Sequence, residues 1–196
     1  MRKVIVNEFL SLDGVMQGPG DPDEDRSGGF EHGGWQMPYF DDDFANVAFE
    51  RMAATDGYLF GRRTYEIMAA YWPTQPDDVP FAASLNGLPK YVASTTLSEP
   101  LEWRNSTLLQ GDVAKAVAEL KEQPGKNLVV LGSGELVQTL MESDLVDEYG
   151  LSFNPIVLGS GKRLFREGSQ KKPLRLVRSM TTSTGVFVAT YEPDRS

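Results

Sequence analysis

Twice in this chain a short apolar run passes through glycine into a helical pattern with no connecting loop. Gly57-Tyr58-Leu59-Phe60 leads into Gly61-Arg62-Arg63-Thr64-Tyr65-Glu66, and Asn127-Leu128-Val129-Val130-Leu131 leads into Gly132-Ser133-Gly134-Glu135. An apolar run without polar alternation suits a strand buried on both faces, and strands alternating with helices build a largely parallel sheet covered by helices. Residues 3–10, 89–93 and 106–109 read as further strands, rich in β-branched and aromatic side chains. Helical patterns cover 41–55, 61–71, 112–123 and 136–143, with Asp41, Asp42 and Asp43 placed to cap the first and Asp112 the third. The central strands are expected at 57–60, 90–94 and 127–131. After Ser143 the rhythm changes: residues 146–157, 174–182 and 186–192 are strand-like, the last two pairing as a hairpin across Ser183-Thr184-Gly185. The expectation is one α/β domain over residues 1–196, a mostly parallel sheet with antiparallel C-terminal strands.

Composition narrows the function. The 196 residues hold no cysteine and a single histidine, His32, which removes disulfides, thiolate metal sites and a cysteine nucleophile and argues against a metalloenzyme. The net charge of -9 disfavours nucleic acid and anionic membranes as broad partners. No segment reaches the roughly 18 apolar residues of a membrane span, and the N-terminus lacks a secretory pattern, so a cytoplasmic protein is expected. The charge is uneven: residues 1–59 carry 12 acids and four bases, whereas 160–180 has a net charge of +6. That basic run is either a solvated surface or a face for an anionic substrate or for the acidic N-terminal loop of another subunit.

Helix N-termini favour phosphate because their first amides are unbonded and the dipole is positive there. At the first junction Arg62, Arg63 and Thr64 add two guanidinium groups and a hydroxyl, and at the second Gly132-Ser133-Gly134 lets backbone approach a ligand. The bland reading of either is a tight turn whose arginines pair with carboxylates. Other fingerprints fail. A dinucleotide loop from Gly132 would need glycine where Val137 stands. A phosphate loop ending at Gly161-Lys162 would need glycine at Ile156 and a hydroxyl at Arg163. A calcium loop from Asp21 meets Arg26 in place of glycine and His32 in place of glutamate. Residues 14–37 form a long Gly-, Pro- and Asp-rich excursion that carries His32-Gly33-Gly34-Trp35; Trp35 either covers a planar ligand or anchors the loop. Asp13, just past the first strand, either makes a turn or donates a proton.

Five segments in order, Ser11-Leu12-Asp13-Gly14-Val15-Met16, His32-Gly33-Gly34-Trp35, Leu59-Phe60-Gly61-Arg62-Arg63-Thr64-Tyr65-Glu66, Gly132-Ser133-Gly134-Glu135-Leu136 and Val157-Leu158-Gly159-Ser160-Gly161-Lys162-Arg163-Leu164-Phe165, closely resemble one family. It comprises the stand-alone relatives of the reductase domain of the riboflavin-biosynthesis deaminase-reductase. The resemblance implies a dihydrofolate reductase-like three-layer α/β/α sandwich, NADPH as hydride donor, and a homodimer. It further implies that Gly61, Arg62, Arg63 and Thr64 meet cofactor phosphate, that Ser94 and Thr95 meet the adenosine ribose and its 2′-phosphate, and that amides of Gly132, Ser133, Gly134, Glu135 and Leu136 hold the pyrophosphate. Asp13 is the candidate proton donor and Trp35 the candidate substrate cover. The cysteine and histidine zinc ligands of the family's deaminase are absent, and the spacing of Asp42 and Asp43 to Gly61 does not match a folate-binding acid. A non-catalytic NADP(H)-binding module or sensor is the alternative.

Overall fold

A computed structural model describes residues 1–76 and 78–194. Eight strands and five α-helices follow in chain order: β1 (Val4–Ser11), α1 (Asp42–Ala53), β2 (Thr55–Gly61), α2 (Arg62–Tyr71), α3 (Pro80–Gly87), β3 (Lys90–Ala93), β4 (Ser106–Leu109), α4 (Val113–Glu122), β5 (Asn127–Leu131), α5 (Gly134–Glu142), β6 (Glu148–Asn154), β7 (Leu174–Thr181) and β8 (Phe187–Pro193). The strands form a sheet in the order β4-β3-β2-β5-β1-β6-β8-β7. β2 is parallel to both β3 and β5, and β3 to β4, while β8 is antiparallel to both β6 and β7. The 90–94 strand expected at the centre lies one place in from the β4 edge, and β1 takes a central position instead. No described helix is long and apolar enough to cross a membrane.

By contacts within the chain there are two compact units, Met1–Ile5 with Arg51–Asp147, and Val6–Glu50 with Glu148–Ser196. In the first, alternation along the strands sends Ile5, Tyr58, Phe60, Val92 and Val129 to one side, where they bury Tyr65 of α2, Leu85 of α3 and Trp103. Leu59, Leu128 and Val130 are fully buried between them in sequence, so β2 and β5 are apolar on both faces. α4 begins as its sequence dictates, Asp112 Oδ1 accepting the Lys115 amide at 3.0 Å. The helix α3, which opens on Pro80, has no counterpart in the sequence reading. Its eight residues give barely two turns of periodicity, though proline in the first turn is a usable start signal. Lys90, wholly buried, donates from Nζ to the carbonyls of Leu85 and Leu88 at 2.7 and 2.9 Å and lies 4.5 Å from the Trp103 ring centre.

In the second unit, α1 lays Phe44 and Val47 on Val186 and Val188, with Phe9 and Met180 at the margin. The acidic triplet does cap this helix, Asp41 Oδ1 accepting the Phe44 amide at 2.8 Å, and it does more. Asp41 Oδ2 accepts from Ser183 Oγ, Thr184 N and Thr184 Oγ1, and Asp43 Oδ2 accepts from Ser183 N, which pins the β7–β8 turn to the start of α1. The hairpin falls where the sequence puts it, with β7 and β8 joined around Ser183, Thr184 and Gly185.

Candidate functional site

β2 and β5 are neighbours with Tyr58 beside Val129, so the two glycine junctions at their ends come together within the first unit. They are bonded to each other. The Gly61 amide donates to Ser133 Oγ at 2.9 Å, and the Ser133 amide donates to Thr64 Oγ1 at 3.0 Å. Gly132 and Ser133 both have left-handed backbone, with φ of 59° and 63°. That conformation costs an L-residue roughly 1 to 2 kcal/mol, and the two bonds through Ser133 offset it. A Cβ on Gly132 would stand 3.2 Å from both Thr64 Oγ1 and Cγ2, which explains glycine there by close approach as well as by φ.

The result is two helix N-termini side by side. α2 begins at Arg62 with no acid in its first turn, and α5 begins at Gly134 with Glu135 in its first turn. Of the residues expected to grip a phosphate, Ser133 and Thr64 spend the Ser133 amide and both hydroxyls on one another and on Gly61, so they hold the cradle's shape. The remaining first-turn amides of the two helices have no helical acceptor. Arg62 forms a two-pronged pair with Glu66 at 3.0 and 2.8 Å on the helix surface, with 45% exposure for each side chain. Such an exposed pair stabilises weakly and can exchange for a ligand anion. Arg63 also has contacts within the chain. Beyond β3, Ser94 Oγ accepts the amides of Thr96 and Leu97 at 3.1 and 3.0 Å, a turn that leaves Thr95 exposed.

The two residues expected to meet substrate lie in the second unit, and both have other duties. Trp35 is 5% exposed, packs with Val15 and Phe30, and donates from Nε1 to the Gln17 carbonyl at 2.7 Å. These contacts anchor the 14–37 loop, the plainer of the two readings of Trp35. Asp13 accepts from Ser11 Oγ at 2.7 Å, from the amides of Leu158 and Gly159 at 3.1 and 2.9 Å, and from Arg163 at 3.4 Å. The Ser11 hydrogen bond, with those two amides outweighing the cost of partial burial, lowers its carboxyl to about 2. Held low in this way, the Asp13 carboxyl acts as a hydrogen-bond acceptor, and the turn-forming reading accounts for its contacts. The start of the basic run meets acids of its own chain, Lys162 with Asp25 at 2.6 Å and Arg163 with Asp13, and needs no second subunit for that.

Sequence reading passed over Glu8. It is 6% exposed on β1, its Oε1 has no hydrogen-bond partner among the described residues, and burial pushes its carboxyl well above the usual range. The signal was present, since Glu8 stands between Val6 and Leu10 at the inward period of a strand.

Solved structures share this architecture. A dihydrofolate reductase from Enterococcus faecalis, complexed with NADP(H) and RAB-propyl, superposes with a TM-score of 0.61 at 14% identity, over 98% of this chain and 96% of its own. A putative riboflavin biosynthesis protein from Shewanella sp. PV-4 does so with a TM-score of 0.70 at 23% identity, over 98% and 99%. The protein thus has the dihydrofolate reductase-like α/β fold. Residues 2–188 match the RibD C-terminal domain, and the chain belongs to that family. Uncharacterized protein YyaP of Bacillus subtilis (strain 168) is 28% identical over 193 residues, 97% of this chain and 94% of the relative.

Proposed function

We propose that the protein is an NADPH-dependent reductase that delivers a hydride to the carbon of a C=N or C=O group in a small heteroaromatic or sugar-amine substrate, resembling 5-amino-6-(5-phosphoribosylamino)uracil reductase. Family membership supports a reductase-type activity. The observation that carries the cofactor is the bonded pair of junctions at β2–α2 and β5–α5. Adjacent helix N-termini, a glycine at close approach with φ of 59° and two arginines suit a ligand with several phosphates. Gly61, Arg62, Arg63 and Thr64 would hold it from one side and Gly132, Ser133, Gly134, Glu135 and Leu136 from the other, with Ser94 and Thr95 toward the adenosine ribose.

When bound, the nicotinamide supplies the hydride; the chain supplies position and electrostatics. Thr64 and Ser133 fix the cradle, first-turn amides of the two helices and the arginines would meet phosphate charge, and Asp13 holds the turn at Leu158 and Gly159.

The test is titration with NADPH followed by its oxidation across a panel of cyclic imines, carbonyls and ribosylaminopyrimidines. Binding and turnover of a panel member support the reductase. Binding with no oxidation of any member favours the non-catalytic module, and failure to bind either nicotinamide dinucleotide removes both readings.

A further inference from the structure

α2 carries one acid, Glu66, which stands one turn on from the N-terminus where the two arginines gather. Helical side chains lean back toward the N-terminus, so the Glu66 carboxylate reaches over the first turn to Arg62, four residues before it. Both its oxygens accept from Arg62 Nη1, at 3.0 and 2.8 Å. Glu66 is the partner that the described residues give Arg62, and the pair lies open on the helix surface. Arg62 thus already holds an anion. A ligand that takes this guanidinium must first replace a carboxylate supplied by the chain itself.

Charge decides which ligands can do so. A carboxylate and each phosphate of a pyrophosphate diester carry a single negative charge, whereas a phosphomonoester carries about -1.5 to -2 at neutral pH and offers three acceptor oxygens. A pyrophosphate oxygen therefore gains little by displacing Glu66, and a ribose hydroxyl gains nothing. A monoester gains by its extra charge. Once displaced, Glu66 stays four residues from Arg62 on the same helix face, placed to recapture it when the monoester leaves. Resting on the cofactor reading above, we propose that Glu66 is a built-in competitor for the 2′-phosphate of NADPH. It caps the affinity for the phosphorylated dinucleotide and hastens its release, and it leaves the unphosphorylated one untouched. The cradle keeps its shape through the exchange, because the bond from the Ser133 amide to Thr64 involves neither Arg62 nor Glu66.

Equilibrium and stopped-flow fluorescence titrations with NADPH and NADH test this on the wild-type chain, Glu66→Gln, Arg62→Ala and the double variant. An exposed ion pair is weak, so Glu66→Gln should bind NADPH only about two- to fivefold tighter, chiefly through slower dissociation, and NADH within about 1.5-fold of wild type. In the Arg62→Ala background the same substitution should give no gain, because Glu66 acts through Arg62. Equal tightening for both dinucleotides, or a gain that survives Arg62→Ala, marks a diffuse charge effect and overturns the proposal. NADPH binding by the wild type with no tightening in Glu66→Gln overturns this inference alone. A wild-type chain that binds neither dinucleotide overturns the cofactor reading and the inference with it.

Discussion

Thr64→Val tests whether the two glycine junctions form one device. Valine keeps the shape of threonine and removes Oγ1, the acceptor for the Ser133 amide at 3.0 Å. A lost hydrogen bond with a half-buried donor left unmet costs about 1 to 2 kcal/mol. The loss falls on a residue with φ of 63°, whose left-handed conformation is then held by its hydroxyl, which accepts the Gly61 amide and donates to the Leu131 carbonyl at 3.3 Å. For a chain of this length each kcal/mol moves Tm by roughly 2 to 4 °C, so Tm should fall by about 2 to 8 °C. If the cradle binds dinucleotide phosphates, loosening it should also raise the NADPH Kd, about tenfold for each 1.4 kcal/mol of lost geometry. Thr64→Ser keeps the hydroxyl and should restore most of both quantities. Differential scanning calorimetry and fluorescence titration read the two effects. A Thr64→Val protein within about 0.3 kcal/mol of wild type, or a Thr64→Ser protein as impaired as Thr64→Val, refutes the reasoning.

Arg62→Ala should weaken NADPH by about 1 to 3 kcal/mol and NADH much less, by loss of a charge-assisted contact to the 2′-phosphate; equal losses by titration would remove that assignment. Asp13 has its folded value lowered from 3.8 to about 2, so the stability it contributes is present above the unfolded value and is lost as pH falls through that window. Asp13→Asn should flatten this part of the acid-unfolding profile while leaving any reductase turnover without a lost acidic limb, and a kcat reduced to background would reinstate Asp13 as a chemical participant. Burial, with the Arg104 guanidinium adding to it, lowers Lys90 from 10.5 to about 8. Between those values the unfolded chain binds the extra proton, so the Lys90 contribution to stability rises with pH; urea titrations of wild type against Lys90→Met should diverge across that interval, and parallel curves would contradict it.

Much of the architecture was legible in residues because it rests on local pattern. The apolar runs at 57–60 and 127–131, the Asp112 cap and the Ser183-Thr184-Gly185 turn each carry their signal within a few positions, and each lies where its pattern puts it. α3 was missed because two helical turns give too little period to see, and the order of strands was misjudged because an apolar β3 looks the same whether it is central or one place from an edge.

What the sequence determined by itself was the class of fold and the kinds of group at each strand end: glycines, arginines and hydroxyls at two junctions, and an acid and an aromatic in the loops. Only the tertiary structure decided what those groups do. Thr64 and Ser133 are 69 residues apart, and their bond exists because β2 and β5 lie side by side. Asp13 accepts from amides 145 and 146 residues away as well as from Ser11 beside it, and Trp35 is shut in by Val15 and Phe30. A side chain's protonation and availability depend on what the fold brings within about 3 Å of it, and that distance is not written in neighbouring residues.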